Sequence, residues 1–445
     1  MMKFLAFPAL VLASALPCSA RADEPARRLS FAEAVATAVD GAVEVQLADR
    51  GVAAQSARVA STRALLLPRL RAEGNLFVWN EPLDVAIAEG APGVRVRDQV
   101  TAGVSLSVVQ PISGLVAGLR LLKLEKNGLA AAAADQDRAR LDAGARAAEA
   151  YLRVLEVRAL VEVTERSLAQ VEAQLQRARA LETAGVLGKV DVLRLESARD
   201  GVRQGLLRGR SGVAVAEKAL VLTLALPAGT VITAYDDLGD PQAALPWSLA
   251  DALALAEKER PELTAADRRA DQASAGRQVA AAALFPNVYA IATYSHNEGN
   301  GPFAPKDALY AGATFQWELF EWGRTIDAID EADRRAEQAR IGAQALRDQV
   351  VFDVERRLLD VKSGFETLAV VKSGLAAAEE AQRIQSVRYA QGAATTTDVI
   401  DTETDLARAR TSYTSARYAY YLALVGAARA VGQLPVVGSG TPAHP

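Results

Sequence analysis

The sequence predicts a mainly α-helical chain with transmembrane β-strands: duplicated long coiled-coil hairpins plus four β-strands per chain. The segment at residues 29–35 returns in similar form at residues 247–253, and later phrases return in the same order. Long segments without proline carry heptads of small and apolar residues, and shorter segments alternate apolar and polar residues. A repeat this regular indicates one structural unit written twice, with length free to vary in one loop.

The first residues have the pattern of an export signal. Lys3 supplies a positive charge, residues 4–16 are apolar, and Ala22 ends a small-x-small cleavage site. We therefore predict a signal peptide over residues 1–22. Cys18 is the only cysteine, and its loss with this peptide would exclude disulfides and thiolate metal sites. Acylation of Cys18 is disfavoured because it follows Pro17 rather than a small residue.

Composition argues against nucleic-acid binding and against catalysis. The net charge is -4, which gives no basic surface for nucleic acid. The chain has 2 histidines and no Gly-rich phosphate loop, HExxH or GxSxG motif, so we predict neither an enzyme nor a cofactor or metal site. After the signal peptide no apolar run reaches the roughly 18 residues of a membrane-spanning helix, so membrane insertion would require β-structure.

The repeat divides the mature chain into two structural units and a tail. The first unit, residues 23–235, has a helix, strands at 70–80 and 99–110, and a long hairpin with its tip near 185–191. The second unit, residues 236–434, has a helix, strands at 287–296 and 308–318, and a long hairpin with its tip near 392–398. Residues 435–445 are predicted to form a flexible tail.

The long helices are predicted from length and periodicity. Between Gly114 and Ala184 there is no proline, and a heptad series includes Val154 and Leu175. About 70 residues at 1.5 Å each make a helix on the order of 105 Å long, which suits a coiled coil. Each long helix ends at a glycine, and a return helix is expected to start at Asp191 or Asp398, where a carboxylate favours the helix N-terminus.

The strands are predicted from period-two segments with aromatic residues near their ends, a pattern typical of transmembrane barrels. The links at residues 80–98 and 296–307 are rich in Gly, Pro and Asp and are interpreted as exposed loops. Four strands cannot close a barrel, and open edges cannot face lipid, so several chains must combine; three copies would give twelve strands. The alternative is a soluble amphipathic sheet packed against the helices.

In these features the chain resembles the TolC-like outer membrane efflux protein family over nearly all of its mature length. The resemblance rests on the duplicated order of helix, strand pair and hairpin, on the turn phrases at residues 185–192 and 389–401, and on the strand exits at 110–112 and 319–324. It implies a homotrimer with a 12-stranded barrel in the outer membrane of a Gram-negative bacterium and a helical tunnel across the periplasm. It also implies two kinds of partner: a periplasmic adaptor, and an inner-membrane pump or exporter.

The resemblance also implies roles for residues at the tips. Asp398 and Asp401, one turn apart on a helix, would form carboxylate rings that narrow the periplasmic aperture. Asp191 and Tyr389 would make contacts that hold the tips together. The residues facing the adaptor would be Gly185, Val186, Leu187, Gly392, Thr395 and Thr396.

Simpler interpretations stay open for these carboxylates. Asp191 and Asp398 can act as helix caps only, and Asp401 can lie on a plain solvated face. Ala394 stands where the family often has a basic residue, so the resemblance does not carry over a salt-bridge latch.

The alternative function is a periplasmic coiled-coil scaffold or adaptor without a membrane barrel. Such a protein would explain the signal peptide and the helices. It would not explain four amphipathic strands placed symmetrically in two repeats, and adaptors usually carry one hairpin where this chain has two. The sequence therefore favours an exit duct for efflux or type I secretion, and it does not indicate the substrate.

Overall fold

The computed structural model describes residues 27–86, 92–241, 247–302 and 304–436. The predicted signal peptide, Cys18 and most of the predicted tail lie outside the described residues. The elements of the first half are β1 (Arg27–Leu29), α1 (Phe31–Gly41), α2 (Val43–Ala64), β2 (Arg69–Val78), β3 (Leu83–Val85), β4 (Val94–Pro111), α3 (Gly114–Thr183), α4 (Lys189–Thr223) and β5 (Ile232–Ala234). Those of the second half are α5 (Leu249–Glu259), α6 (Pro261–Ala280), a 3-10 helix (Ala281–Leu284), β6 (Asn287–Asn300), β7 (Asp307–Gln316), α7 (Arg324–Ala390) and α8 (Thr396–Ala430).

The two halves repeat one order of main elements: short helices, two long strands, one long helix and one return helix. The long helices α3 and α7 have 70 and 67 residues, and the return helices α4 and α8 have 35 residues each. The repeat extends to the caps, because Ser30 and Ser248 each accept a hydrogen bond from the N–H three residues on. None of the helices in the described residues is long and apolar enough to cross a membrane.

Several element bounds differ from those predicted. The return helices begin at Lys189 and Thr396, earlier than the expected aspartates, because Gly188 and Thr395 take the N-cap positions. The first link is not wholly a loop, since β3 and the start of β4 pair within it. Strand β6 likewise continues into the second link as far as Asn300, and β7 ends at Gln316, before the predicted position 318.

The main sheet is antiparallel, with the strand order β2-β4-β6-β7 and with β3 added on β4. The register of the strands places residues of similar polarity side by side. One row across the four strands is apolar, and its members are Leu70, Val108, Ala292 and Ala311; the neighbouring row is polar, and its members are Arg71, Ser107, Thr293 and Tyr310. On the polar face, the hydroxyl oxygens of Ser107 and Thr293 are 3.0 Å apart and hydrogen-bonded. At these two rows the sheet is therefore apolar on one face and polar on the other.

The largest core lies where α1, α3, α8 and the small parallel β1–β5 sheet meet. Tyr151 of α3 is fully buried there, with its hydroxyl oxygen 2.8 Å from the carbonyl oxygens of both Leu29 and Tyr235. Burial raises the pKa of this hydroxyl. The contact fixes the start of the described chain and the strand after α4 to the same point of the long helix.

Candidate functional site

The first hairpin turns at Gly185, which follows the end of α3 with φ +76°. The N–H of Val186 donates to the carbonyl of Leu181 at 2.9 Å, so the last turn of the helix is closed by backbone. Val186 is 72% exposed. Leu187 instead is half-buried and packs on a small apolar cluster, whose members are Leu175, Ala178, Val192 and Leu195.

The second hairpin turns at Gly392, with φ +74°. The N–H of Ala393 donates to the carbonyl of Arg388 at 2.8 Å, which repeats the geometry of the first tip. No atom lies within 4 Å of a Cβ built on Gly185 or Gly392. Backbone conformation, and not lack of space, therefore calls for glycine at both turns.

Helix α8 begins with a capping box formed by Thr395 and Asp398. The Asp398 carboxylate accepts the N–H of Thr395 at 2.8 Å, and the Asp398 N–H donates to the Thr395 hydroxyl at 3.2 Å. The backbone hydrogen bond from Thr395 lowers the pKa of Asp398 below its ordinary value. Asp398 is therefore the third residue of the helix in a box whose N-cap is Thr395, and a lumenal role would be additional to it.

Asp401 lies one turn beyond Asp398, and both side chains are exposed. Within the described residues the Asp401 carboxylate has no hydrogen-bond or ion-pair partner, whereas the Asp398 carboxylate accepts the Thr395 N–H. Its carboxylate is therefore available to face a channel or a ligand. The proximity of these two carboxylates on one helix surface agrees with their spacing in the sequence.

The predicted tip contacts involve an arginine that sequence reasoning missed. Asp191 is half-buried in the first turn of α4, where no side chain caps the helix, and its carboxylate lies 3.8 Å from the guanidinium of Arg194. The same guanidinium donates to the hydroxyl of Thr397 on the other hairpin at 3.2 Å. Asp191 is thus connected to the second hairpin through Arg194. The spacing of Asp191 and Arg194, three residues apart on a helix, was the signal that could have revealed the pair.

Tyr389 and Thr396 contact each other within the second hairpin, with their hydroxyl oxygens 3.5 Å apart. Thr396 is buried, so within one chain its side chain is not available to an adaptor as predicted. Among the other predicted adaptor-facing residues, Leu187 is half-buried and the rest are exposed.

The arrangement as a whole defines a class of protein: a duplicated helical hairpin fold that carries a sheet of four long strands and the short β3 at the end remote from the hairpin tips. Solved structures share it. The outer-membrane channel OprN superposes with a TM-score of 0.78 at 19% identity, covering 90% of this chain and 89% of that chain. The CmeC outer membrane channel of Campylobacter jejuni gives 0.78 at 14% identity over 92% and 87% of the two chains. The open state of the MtrE outer membrane channel of Neisseria gonorrhoeae gives 0.73 at 17% identity over 92% and 91%.

Sequence comparison points to one family for the second half of the chain. Residues 252–433 match the family model described as outer membrane efflux protein. The outer membrane efflux protein BepC of Brucella suis biovar 1 is 23% identical over 293 residues, which are 65% of this chain. The matched part spans 62% of the length of that relative. Residues 252–433 are thus similar to the outer membrane efflux protein family, and the chain has the fold of these outer membrane channels.

Proposed function

We propose that this protein is the outer-membrane exit duct of a tripartite efflux or type I secretion system. It passes substrates from an inner-membrane transporter across the periplasm and the outer membrane, and it performs no chemistry on them. The observation that carries the proposal is the amphipathic sheet with two open edges joined to two matched long hairpins. The family match of the second repeat supports the same conclusion.

The open edges give the reason for assembly. Strands β2 and β7 lie at opposite edges of the main sheet, and each lacks a partner on one side within the described residues. Their backbone groups cannot stay unpaired in lipid, so β7 of one copy pairs with β2 of the next. Three copies close a twelve-stranded barrel with the apolar row toward lipid and the polar row toward the lumen. The exposed apolar residues after β7, Leu319, Phe320 and Trp322, are then covered by a neighbour or by the membrane interface.

In this assembly the hairpin tips are the periplasmic end. Asp398 and Asp401 form the aperture, while Asp191 and Tyr389 belong to the contacts that hold the tips. The exposed turn residues at Gly185, Val186, Gly392 and Thr395 meet a periplasmic adaptor, which links the duct to the inner-membrane pump. The scaffold alternative does not account for the continuous apolar row across β2, β4, β6 and β7.

Single-channel conductance of the purified mature protein in a planar bilayer tests the proposal. We expect small, cation-selective steps, because two rings of carboxylates narrow the lumen. Replacing Asp398 and Asp401 together by asparagine should reduce cation preference, because the charge is lost while the side-chain volume and an acceptor for the Thr395 N–H remain. Asp200→Asn, at an exposed carboxylate on α4, is the matched control and should leave cation preference unchanged. A folded preparation that gives no channels would contradict the duct, and an unchanged double variant would remove the gate assignment.

A further inference from the structure

A cavity of about 390 Å³ lies between the two hairpins and begins in the first two turns of α8. Helices α3, α4 and α8 each contribute to its wall. Its lining residues are mostly small or apolar, and they include Val171, Ala198, Gly201, Val202, Val399 and Ala407. Gly201 has no atom within 4 Å of a Cβ built on it, so small side chains create this space. Its volume is in the range of small-molecule sites, roughly 300–1,000 Å³.

Two polar side chains of the cavity, Gln174 and Glu403, present buried hydrogen-bond acceptors, although the Gln174 amide also carries a donor NH2 group. Gln174 is 6% exposed, and its buried side-chain oxygen Oε1 has no hydrogen-bond partner within the described residues. Glu403 is 9% exposed and accepts one hydrogen bond from Gln382 at 2.8 Å. The two hydroxyls in the wall already donate within their own helices, from Ser167 to Val163 and from Thr404 to Ile400. A buried acceptor without a donor is costly, so the site lacks a donor that a ligand could supply.

The charge of the wall fixes the sign of the ligand. Glu403 is the only ionisable residue among the lining residues, and no Lys, Arg or His is among them. An anionic ligand would meet an unopposed carboxylate, whereas an ammonium group would form charge-assisted hydrogen bonds with Glu403 and Gln174. The apolar remainder of the wall would bury a hydrocarbon or aromatic body.

We propose that this cavity is a binding site for an organic cation with a primary ammonium group and an apolar body. Glu403 and Gln174 accept from the ammonium, and the apolar side chains of α3, α4 and α8 enclose the body. The site goes beyond the exit-duct function, because it lies between the hairpins and is lined by the buried side of α8, whereas the aperture residues Asp398 and Asp401 are exposed. A bound cation would join α8 to the first hairpin. If the protein is the proposed duct, a cation bound here would also oppose opening of the tips; this consequence rests on the proposed function.

Binding is tested with dansylcadaverine, a fluorescent dansyl ring on a pentyl chain that ends in a primary amine. The full mature protein is placed in nanodiscs of zwitterionic lipid, and the signal of empty nanodiscs is subtracted. We expect saturable binding at one site per chain, weaker by about tenfold or more in Glu403→Gln, which keeps an acceptor for Gln382 and loses the charge. Ala198→Trp fills the cavity and should abolish binding. Glu172→Gln, on the exposed face of α3, is the control and should bind as wild type does.

Several outcomes would overturn the proposal. The first is no saturable binding to the wild type, and the second is equal binding of the neutral N-pentyl dansylamide. The third is undiminished binding to Ala198→Trp, which would mean that the probe binds at other carboxylates such as Asp398 and Asp401. Conductance measurements distinguish failure of this proposed site from failure of the proposed duct. Binding without channels contradicts the duct and leaves the site in place, whereas channels without binding contradict the site alone. Channels whose open probability does not fall with bound probe contradict only the effect on opening.

Discussion

At the start of α8 the side chains of Asp398 and Thr395 each accept a hydrogen bond from the other residue's backbone. The Asp398 carboxylate accepts the Thr395 N–H at 2.8 Å, and the Thr395 hydroxyl accepts the Asp398 N–H at 3.2 Å. The residue proposed to line the aperture therefore also holds the end of its own helix. A carboxylate fixed by a backbone donor does not swing freely, so the position of a charged ring would be set by the helix cap. A substitution at Asp398 changes the helix cap and the charge of the aperture together, so different variants are needed to separate the two effects.

The variant Thr395→Ala removes the capping hydroxyl and keeps the Asp398 carboxylate, so it tests the cap without changing the charge. We expect the first turn of α8 to lose about 1 kcal/mol of local stability, since the hydroxyl no longer accepts the Asp398 N–H. Hydrogen exchange at the amides of residues 396–399 measures this as faster exchange. Thr402→Ala, in the second turn of α8, is the control because its hydroxyl bonds only to the Asp398 carbonyl. Equal exchange at the first turn in both variants would contradict the capping role.

The same cap should be sensitive to acid. The pKa of Asp398 is lowered in the folded protein, chiefly by the Thr395 N–H. A depressed folded pKa means that the stabilisation is present above the unfolded value, about 3.9, and is lost as the pH falls through the folded pKa. Exchange at the start of α8 should therefore accelerate below about pH 4 in the wild type. In Asp398→Asn the exchange, corrected for its intrinsic pH dependence, should not show this step.

Arg194 is expected to hold the two tips together. Its guanidinium is mostly exposed and pairs with Asp191 at 3.8 Å, a pair worth at most about 1 kcal/mol, but it also donates to Thr397 of the other hairpin at 3.2 Å. Arg194→Ala should leave thermal stability nearly unchanged and increase the frequency of open events in bilayer recordings. Arg203→Ala, at an exposed arginine of the same helix, should leave gating unchanged. If both variants gate as wild type does, Arg194 does not secure the tips.

The elements that were predictable from sequence are those with a strong local signal. The long helices follow from heptads and the absence of proline, and both turns follow from Gly185 and Gly392, whose positive φ favours glycine. The strand order and the shared apolar row depend on register between distant segments. They could be predicted only as a pattern of alternation, and not as the pairs Leu70–Val108 and Ala292–Ala311.

Contacts between hairpins were beyond reach for a similar reason. Arg194 and Thr397 are far apart in the chain, and nothing in either local sequence says which arginine meets which hydroxyl. The N-cap residues were missed because the aspartates three positions later carry the more visible charge, whereas Thr395 takes the cap with its hydroxyl. The cavity at Gln174 and Glu403 likewise arises only when three helices are packed together.

The tip glycines give a test of backbone strain. Gly392→Ala places a side chain at φ +74°, which costs about 1–2 kcal/mol although the space around it is open. Gly374→Ala is the matched control in the middle of α7, where space is also open and alanine should stabilise the helix by about 0.5–1 kcal/mol. Denaturant unfolding of the α-helical signal compares the two. Two changes of the same sign would contradict the requirement for glycine at the turn.

Arg260 should be the most sensitive charged residue remote from the tips. Its side chain is only 5% exposed and its guanidinium lies 2.7 Å from Glu262 and 3.2 Å from Asp353, which places three charges together between α6 and α7. Arg260→Met keeps much of the volume but leaves the buried Glu262 without its closest cation, at a cost of about 3–5 kcal/mol. Arg356→Met is the control, because this half-exposed arginine pairs with the same Asp353 at 3.0 Å and should cost at most about 1 kcal/mol. Thermal unfolding of the two variants measures the difference, and equal melting temperatures would show that burial does not determine the importance of these ion pairs.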